Sequence, residues 1–167
     1  DAKLNFVMPK KTERLMKEII NEEGLNDKMF PPKAVLGEIS RAKDSLYTPK
    51  MYADEASGDF RREKIATLYT KYQKRLKDAS AVDFDDIICH TVKLLQEFPE
   101  VREHYQKQFK YVLIDEYQDT NHAQYELVRL LASVHGNICV VGDDDQSIYR
   151  FRGATIENIL NFEDDYR

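Results

Sequence analysis

Apolar residues recur every three or four positions through most of the first 110 residues, a spacing that predicts amphipathic helices. Prolines, glycines and capping side chains interrupt this pattern and set the expected helix boundaries. The segment before Thr12 lacks the pattern and is expected to be irregular. The predicted boundary residues are Thr12 and Gly24 for the first helix, Pro31-Pro32 for the second, Thr48-Pro49 and Ser57-Gly58 for the third, residues 59 and 79 for the fourth, Asp83 for the fifth and Pro99 for the sixth.

The pattern changes at Tyr111, where a short apolar run ends in two adjacent carboxylates, Asp115 and Glu116. Bulky and β-branched residues over so short a run predict a buried strand. A helical pattern follows Asn121 and ends at Gly136, and a second apolar run then covers residues 138–141. Strand, helix and strand over about thirty residues form a βαβ unit, in which the two strands are parallel.

Parallel strands of one sheet end at the same edge, and ligands of open α/β sheets bind at that edge. We therefore expect the segment from Gly142 to Gln146 to lie beside Asp115 and Glu116. An Asp in this position suits Mg²⁺, which prefers oxygen ligands, and the neighbouring Glu suits the polarisation of an attacking water. A solvated strand end is the other interpretation of the same acidic pair.

Composition narrows the class of protein. The 167 residues are 42% hydrophobic and 33% charged, and no apolar run approaches the roughly twenty residues that a membrane span needs. The expected location is the cytoplasm. Cys89 and Cys139 lie far apart in apolar contexts, which predicts buried free thiols rather than a disulfide. The net charge of −5 is uneven, because the acidic excess follows residue 110, so it does not exclude a nucleic-acid partner.

The fourth predicted helix is strongly basic and has two interpretations. Arg61, Arg62, Lys74 and Arg75 belong to a face that could lie along DNA phosphates. Lysine-rich helix faces are also common as plain solvated surface, which is the simpler interpretation. The tyrosines on its apolar stripe are expected to be core residues.

Two longer segments resemble a known family. Asp115 to Asn121 reads Asp-Glu-Tyr-Gln-Asp-Thr-Asn, and Gly142 to Ala154 reads Gly-Asp-Asp-Asp-Gln-Ser-Ile-Tyr-Arg-Phe-Arg-Gly-Ala. These closely resemble the second and third motifs of superfamily 1 DNA helicases of the UvrD/Rep/PcrA type. The fold that the resemblance implies is α/β: a mainly helical insertion subdomain, residues 1–109, followed by a βαβ part of a parallel P-loop NTPase (RecA-like) sheet, residues 110–167.

The resemblance also implies roles for individual residues. Asp115 would bind the Mg²⁺ of Mg·ATP, Glu116 would activate the hydrolytic water, and Gln146 would sense the γ-phosphate. Tyr149 and Phe151 would stack on bases of single-stranded DNA, and Arg152 would contact a phosphate or pair with the acidic site. The family usually has Trp where this chain has Phe151, so the strength of that stacking contact is open.

One element of such a motor is missing from the sequence. None of the six glycines is followed by Lys, so the chain has no Gly-x-x-x-x-Gly-Lys-Ser/Thr loop to hold nucleotide phosphates. We therefore interpret the chain as a fragment of an ATP-dependent 3′–5′ DNA helicase that acts with the remaining domains of a parent chain on single-stranded and duplex DNA. Two alternatives remain: the helicase part of a recombination helicase-nuclease, and a non-catalytic module that binds DNA or a protein.

Overall fold

The computed structural model describes residues 3–143. Within that range it contains seven α-helices and two pairs of short parallel strands. The helices are α1 (Pro9–Glu22), α2 (Pro32–Asp44), α3 (Pro49–Ala56), α4 (Phe60–Asp78), α5 (Phe84–Glu97), α6 (Pro99–Gln108) and α7 (His122–Ala132). The strands are β1 (Asn5–Phe6), β2 (Ala81–Val82), β3 (Val112–Ile114) and β4 (Ile138–Val140).

The chain folds as two compact units, residues 1–87 and residues 88–167, and α5 contains residues of both. A helical part followed by a parallel strand pair is the predicted α/β class, which is thereby confirmed. The domain boundary near residue 110 stays a prediction. No helix within residues 3–143 has the combination of length and apolar character that crossing a bilayer requires.

Helices α1 to α4 build the first unit around one apolar core, which forms because each helix turns its periodic apolar stripe inward. Tyr69 and Tyr72 of α4 are both buried there, which confirms that the tyrosines of the basic helix belong to the core. The principal core residues are Met16, Ile19, Ile20, Val35, Ile39, Ile65, Leu68, Tyr69, Tyr72 and Leu76.

Most predicted helix boundaries are confirmed by their capping contacts. The hydroxyl of Thr48 accepts a hydrogen bond from the Met51 N–H, and Gly24, at φ +64°, follows α1 in the left-handed conformation that glycine tolerates best. Thr12 is not a cap, because α1 begins at Pro9 and the Thr12 hydroxyl donates to the Pro9 carbonyl inside the first turn. Leu46 continues the apolar spacing of α2 in the sequence but lies beyond the end of the helix, at φ +59°.

The prediction that the first residues are irregular is wrong. Strand β1 pairs in parallel with β2, with Asn5 opposite Ala81 and Phe6 opposite Val82. The N–H of Val7 donates to the carbonyl of Val82 at 2.9 Å and extends the ladder. Two-residue strands leave no periodic signal, so only the tertiary fold reveals this pair.

A buried ionic cluster joins three helices of the first unit. Lys43 of α2 is 2% exposed, and its Nζ lies 2.7 Å from Asp83 Oδ2 and 2.8 Å from Asp86 Oδ1. The hydroxyl of Tyr72 donates to Asp83, and the side-chain amide of Gln73 donates to Asp86. Buried charges persist only when they are paired and hydrogen-bonded, and these contacts meet that condition.

Asp83 also has the predicted capping role at the start of α5. Its carboxylate accepts from the Asp86 N–H at 2.9 Å, and the Asp86 carboxylate accepts from the Asp83 N–H at 3.1 Å. This reciprocal arrangement satisfies two backbone donors at once, as a capping box does. The sequence predicted the cap, but it did not show that Lys43 neutralises it.

In the second unit, β3 and β4 are parallel, with Leu113 opposite Cys139. The prediction of a fully buried strand is wrong for this chain, because Leu113 is 76% exposed and Cys139 is exposed too. Helix α7 connects the strands, and a capping box between Asn121 and Gln124 begins it. Helix α7 ends at Ala132, earlier than the predicted Gly136, which lies beyond a short turn at φ +62°.

Several apolar side chains predicted to face inward are exposed instead. On α5 the buried apolar residues are Val92 and Leu95, and on α7 they are Ala123, Leu130 and Ala132. The apolar stripes of α5 and α6 are wider than the surfaces that cover them within residues 3–143. The exposed residues that were expected to be buried are Ile87, Leu94, Phe98, Tyr105 and Phe109.

Candidate functional site

Asp115 and Glu116 lie where β3 ends, next to the end of β4. The N–H of Val141 donates to the Ile114 carbonyl at 2.8 Å, and the N–H of Tyr117 donates to the Val141 carbonyl at 2.9 Å. The segments that leave the two strands are therefore hydrogen-bonded side by side. The prediction that both strands end at one edge is confirmed as far as Asp143.

The backbone of Glu116 is left-handed, with φ +52° and ψ +44°. A non-glycine residue in this region costs about 1 kcal/mol or more, and such strain is concentrated at functional sites. The turn is supported on one side by the Asp115 carboxylate, whose Oδ1 accepts from the Glu116 N–H at 2.8 Å. Both carboxylates are exposed to solvent at this turn.

Gln118, which sequence reasoning did not select, connects this turn to the second strand. It belongs to a 3-10 turn, Tyr117–Asp119, and is 1% exposed. Its Nε2 donates to Glu116 Oε2 at 2.5 Å, and its Oε1 accepts from the Asp143 N–H at 3.0 Å. A glutamine two residues after a carboxylate gives no signal by itself, because the second partner lies 25 positions further along the chain.

Gly142 allows the two segments to approach each other. A Cβ at this position would lie 2.9 Å from Gln118 Oε1 and 3.3 Å from the Gln118 backbone nitrogen. Any larger residue would therefore displace the Gln118 side chain, which is also the acceptor for Asp143. Close packing against Gln118 therefore explains why a glycine stands at this position of the second resembling segment.

A cavity of about 380 Å³ opens beside the acidic pair. A larger cavity, of about 510 Å³, lies at the opposite ends of the strands, where Tyr111 and Asn137 precede β3 and β4, and it contains no acidic pair. The chemistry of the lining, rather than size, therefore identifies the candidate site. The smaller cavity is lined by Ile114, Asp115, Glu116, Asp119, Thr120, Gln124, Leu127 and Val128.

Asp115 fits a magnesium ion that is held mainly by nucleotide and water. Mg²⁺ is commonly bound by one or two carboxylates together with phosphate oxygens and several waters. Asp115 uses Oδ1 for the Glu116 N–H and has a second oxygen at the exposed edge of the sheet. Within residues 3–143 no group of three His, Cys, Asp or Glu side chains could hold a metal ion, so Asp115 would provide only part of the ligands.

Four predicted site residues lie outside the described residues. Gln146, Tyr149, Phe151 and Arg152 follow Asp143, the last described position. Their roles stay predictions. The described part of the second segment, Gly142 and Asp143, lies at the expected edge.

The basic side chains of α4 are mostly paired within the first unit. Arg61 donates to Glu38, and Lys71 and Arg75 form ion pairs with Glu23 and Glu22. Arg62 lies 3.8 Å from Glu55. A DNA phosphate would have to compete with these glutamates. The contacts favour the simpler interpretation of this face, a solvated and ion-paired helix surface.

Sequence comparison agrees with the two motif segments and extends beyond them. The family profile of the UvrD/REP helicase N-terminal domain matches residues 1–167. The chain belongs to the UvrD/REP helicase N-terminal domain family. The helical unit and the strand pair are therefore both parts of that domain.

Similar members of the family include the ATP-dependent DNA helicases PcrA of two staphylococci. The chain is 46% identical over 166 residues to the protein of Staphylococcus aureus strain Mu50 and 45% identical over 166 residues to that of Staphylococcus epidermidis strain RP62A. In each case the match covers 99% of this chain and 23% of the relative. The chain thus spans less than a quarter of the length of these helicases.

Proposed function

We propose that this chain is part of an ATP-dependent DNA helicase whose parent protein couples Mg·ATP hydrolysis to 3′–5′ movement on single-stranded DNA and to duplex unwinding in repair or replication. The observation that carries the proposal is the acidic pair at the common edge of β3 and β4, in a chain of the UvrD/REP helicase family. The remaining domains of the parent would complete the motor. We expect such a motor to act in the cytoplasm.

The proposed roles follow from the positions of the carboxylates. Asp115 holds the Mg²⁺ of the nucleotide, and this ion would neutralise charge on the phosphates. Glu116 accepts a proton from the attacking water and orients it. Gln146, three residues beyond Asp143 in sequence, would contact the γ-phosphate and couple hydrolysis to movement.

The DNA-binding part of the proposal depends on the segment after Gln146. Tyr149 and Phe151 would stack on successive bases, each stacked base being worth roughly 1 to 3 kcal/mol, and Arg152 would contact a phosphate. Stacking does not distinguish bases, so it suits a motor that moves along any sequence. Trp has a larger aromatic ring than Phe, so replacing Phe151 with Trp should tighten single-stranded DNA binding.

The isolated chain should hydrolyse ATP poorly. It contains no glycine followed by Lys and hence no loop of the kind that cradles the β- and γ-phosphates. Turnover above about 1 s⁻¹ by the purified chain would contradict this part of the proposal. Such a result would mean that the acidic pair works without a phosphate-binding loop.

The decisive experiment uses the parent protein and compares three variants. Glu116→Gln should retain nucleotide binding but lose ATP hydrolysis and unwinding, and Asp115→Ala should lose Mg²⁺-dependent nucleotide binding as well. Glu103→Gln alters an exposed carboxylate of α6 and should match the wild type. DNA-stimulated hydrolysis that survives both site substitutions would overturn the proposal.

The same measurements separate the two alternatives. A helicase-nuclease would also degrade the DNA substrate, and Glu116→Gln would leave a nuclease activity intact where it does not require ATP. A non-catalytic module would bind DNA or protein, but its wild type would not hydrolyse ATP. The intact acidic pair and the strained turn at Glu116 favour a working motor over such a remnant.

A further inference from the structure

We infer that Gln118 is a positioning residue for Glu116, and that it links the catalytic carboxylate to the segment leaving the second strand. The inference rests on the proposed function, because it assigns Gln118 a role in the same hydrolysis reaction. It is carried by the two hydrogen bonds of a buried side-chain amide, one to each segment.

Glu116 needs such a partner. Its side chain has three rotatable bonds and is exposed, so without a contact its carboxylate would sample many positions. Within residues 3–143, the Gln118 amide is the hydrogen-bond donor to that carboxylate, through Oε2. The contact leaves Oε1 of Glu116 for a water, as a general base requires.

The second bond fixes the orientation of the amide itself. An amide has one donating and one accepting end, and the Asp143 N–H can bond only to the accepting end. Gln118 Oε1 therefore faces Asp143, and Nε2 must face Glu116. At 1% exposure the side chain has little freedom to rotate away, and Gly142 provides the space that it occupies.

Gln118 links the two motif segments, because it donates to Glu116 in the first and accepts from Asp143 in the second. Asp143 lies three residues before Gln146 in sequence, so a shift of that segment pulls on the Asp143 N–H and is transmitted by Gln118 to the Glu116 carboxylate. A displacement of about 1 Å in a reacting group can cost about a hundredfold in rate. Gln118 thus ties the position of the base to that of the Asp143 backbone.

The test substitutes Gln118 in the parent helicase. Gln118→Glu retains size and the acceptor for Asp143 but removes the donor to Glu116, whereas Gln118→Met removes both bonds. We expect the kcat for ATP to fall about 10- to 100-fold in both variants, while KM changes less than about threefold, because the nucleotide contacts are untouched.

Gln106→Glu is the matched control. Gln106 is also a buried glutamine of the second unit, and its Nε2 donates to the Leu130 carbonyl at 2.7 Å and to the Ser133 hydroxyl. Its substitution should lower the melting temperature without lowering kcat per folded molecule. A loss of kcat in Gln106→Glu equal to that in Gln118→Glu would indicate general damage and would overturn the inference.

A double-mutant comparison tests whether Gln118 acts through Glu116. In the Glu116→Gln background, adding Gln118→Glu should cause little further loss of kcat, because the carboxylate to be positioned is already gone. Equal losses in both backgrounds would refute a positioning role. If Glu116→Gln abolishes hydrolysis while Gln118→Glu leaves kcat intact, only this inference fails. If Glu116→Gln has no effect, the proposed function fails first.

Discussion

Lys43 Nζ lies 2.8 Å from Asp86 Oδ1, and both residues are 2% exposed. Breaking a buried ion pair from one side leaves an uncompensated charge, which typically costs about 3 to 5 kcal/mol. Lys43→Met should lower the free energy of unfolding by that amount, because it leaves Asp83 and Asp86 without a cation. Urea unfolding of the purified chain measures the change.

The control for this prediction is Lys93→Met. Lys93 is 67% exposed and lies 3.8 Å from Glu97 along α5, an arrangement worth about 0.5 kcal/mol at most. If the two substitutions had similar effects on the urea midpoint, Lys43 would not be anchoring a buried network.

Asp86 should make the stability of the first unit sensitive to acid. Burial alone would raise the pKa of its carboxyl, but the charge of Lys43 and the hydrogen bonds from Lys43, the Asp83 N–H and Gln73 outweigh burial and hold the pKa below 3.8. A lowered pKa stabilises the fold above the unfolded value, and that contribution is lost as pH falls through the folded value. The advantage of wild type over Asp86→Asn should therefore shrink as the pH falls below about 4, the ordinary pKa of an aspartate. A gap in unfolding free energy that stays constant across this range would contradict the assignment.

Gly142→Ala should damage the site, whereas the same change at Gly37 should not. An added Cβ at Gly142 would lie 2.9 Å from Gln118 Oε1, but one at Gly37, inside α2, would meet nothing within 4 Å. We expect Gly142→Ala to cost about 1 to 3 kcal/mol and Gly37→Ala to stabilise the helix by about 0.5 to 1 kcal/mol. Thermal unfolding of both variants checks the opposite signs. Equal effects would show that the Gln118 side chain moves aside freely.

The labelling rate of Cys139 should show whether the rest of the parent protein covers the exposed face of β3 and β4. Its β3 partner Leu113 is 76% exposed and Val141 is 60% exposed, so one face of the strand pair is apolar and open in this chain. If the rest of the parent motor covers this face, a maleimide should label Cys139 readily in the isolated chain and at least about tenfold more slowly in the folded parent. A Cys89→Ser variant isolates the signal. Equal labelling rates would mean that the face stays open.

Local signals in the sequence predicted most of the helical fold. The Thr48 and Asp83 caps and the terminating glycine Gly24 act within a few residues of themselves, so periodicity and capping rules suffice to find them. Thr12 failed because Pro9 is an equally good first-turn residue and begins the helix one turn earlier.

Features that depend on distant partners were not predictable. Strands β1 and β2 are two residues long and more than seventy positions apart. The sequence around Lys43 is that of an ordinary surface lysine, and only the fold brings Asp83 and Asp86 next to it. The acidic pair of the candidate site was readable as a motif. The Gln118 contacts could not be predicted, because which residue faces a side chain on a neighbouring segment depends on how the two strands are aligned.

Under the role proposed for Glu116, its left-handed turn sets thermostability against ATP hydrolysis at a single position. Glycine or asparagine would relax the backbone there, so a library screened only for survival at high temperature should enrich them. A library screened for growth under DNA damage should reject both and retain glutamate. Directed evolution of this domain toward heat resistance would therefore tend to inactivate the enzyme at the residue where it gains stability most easily.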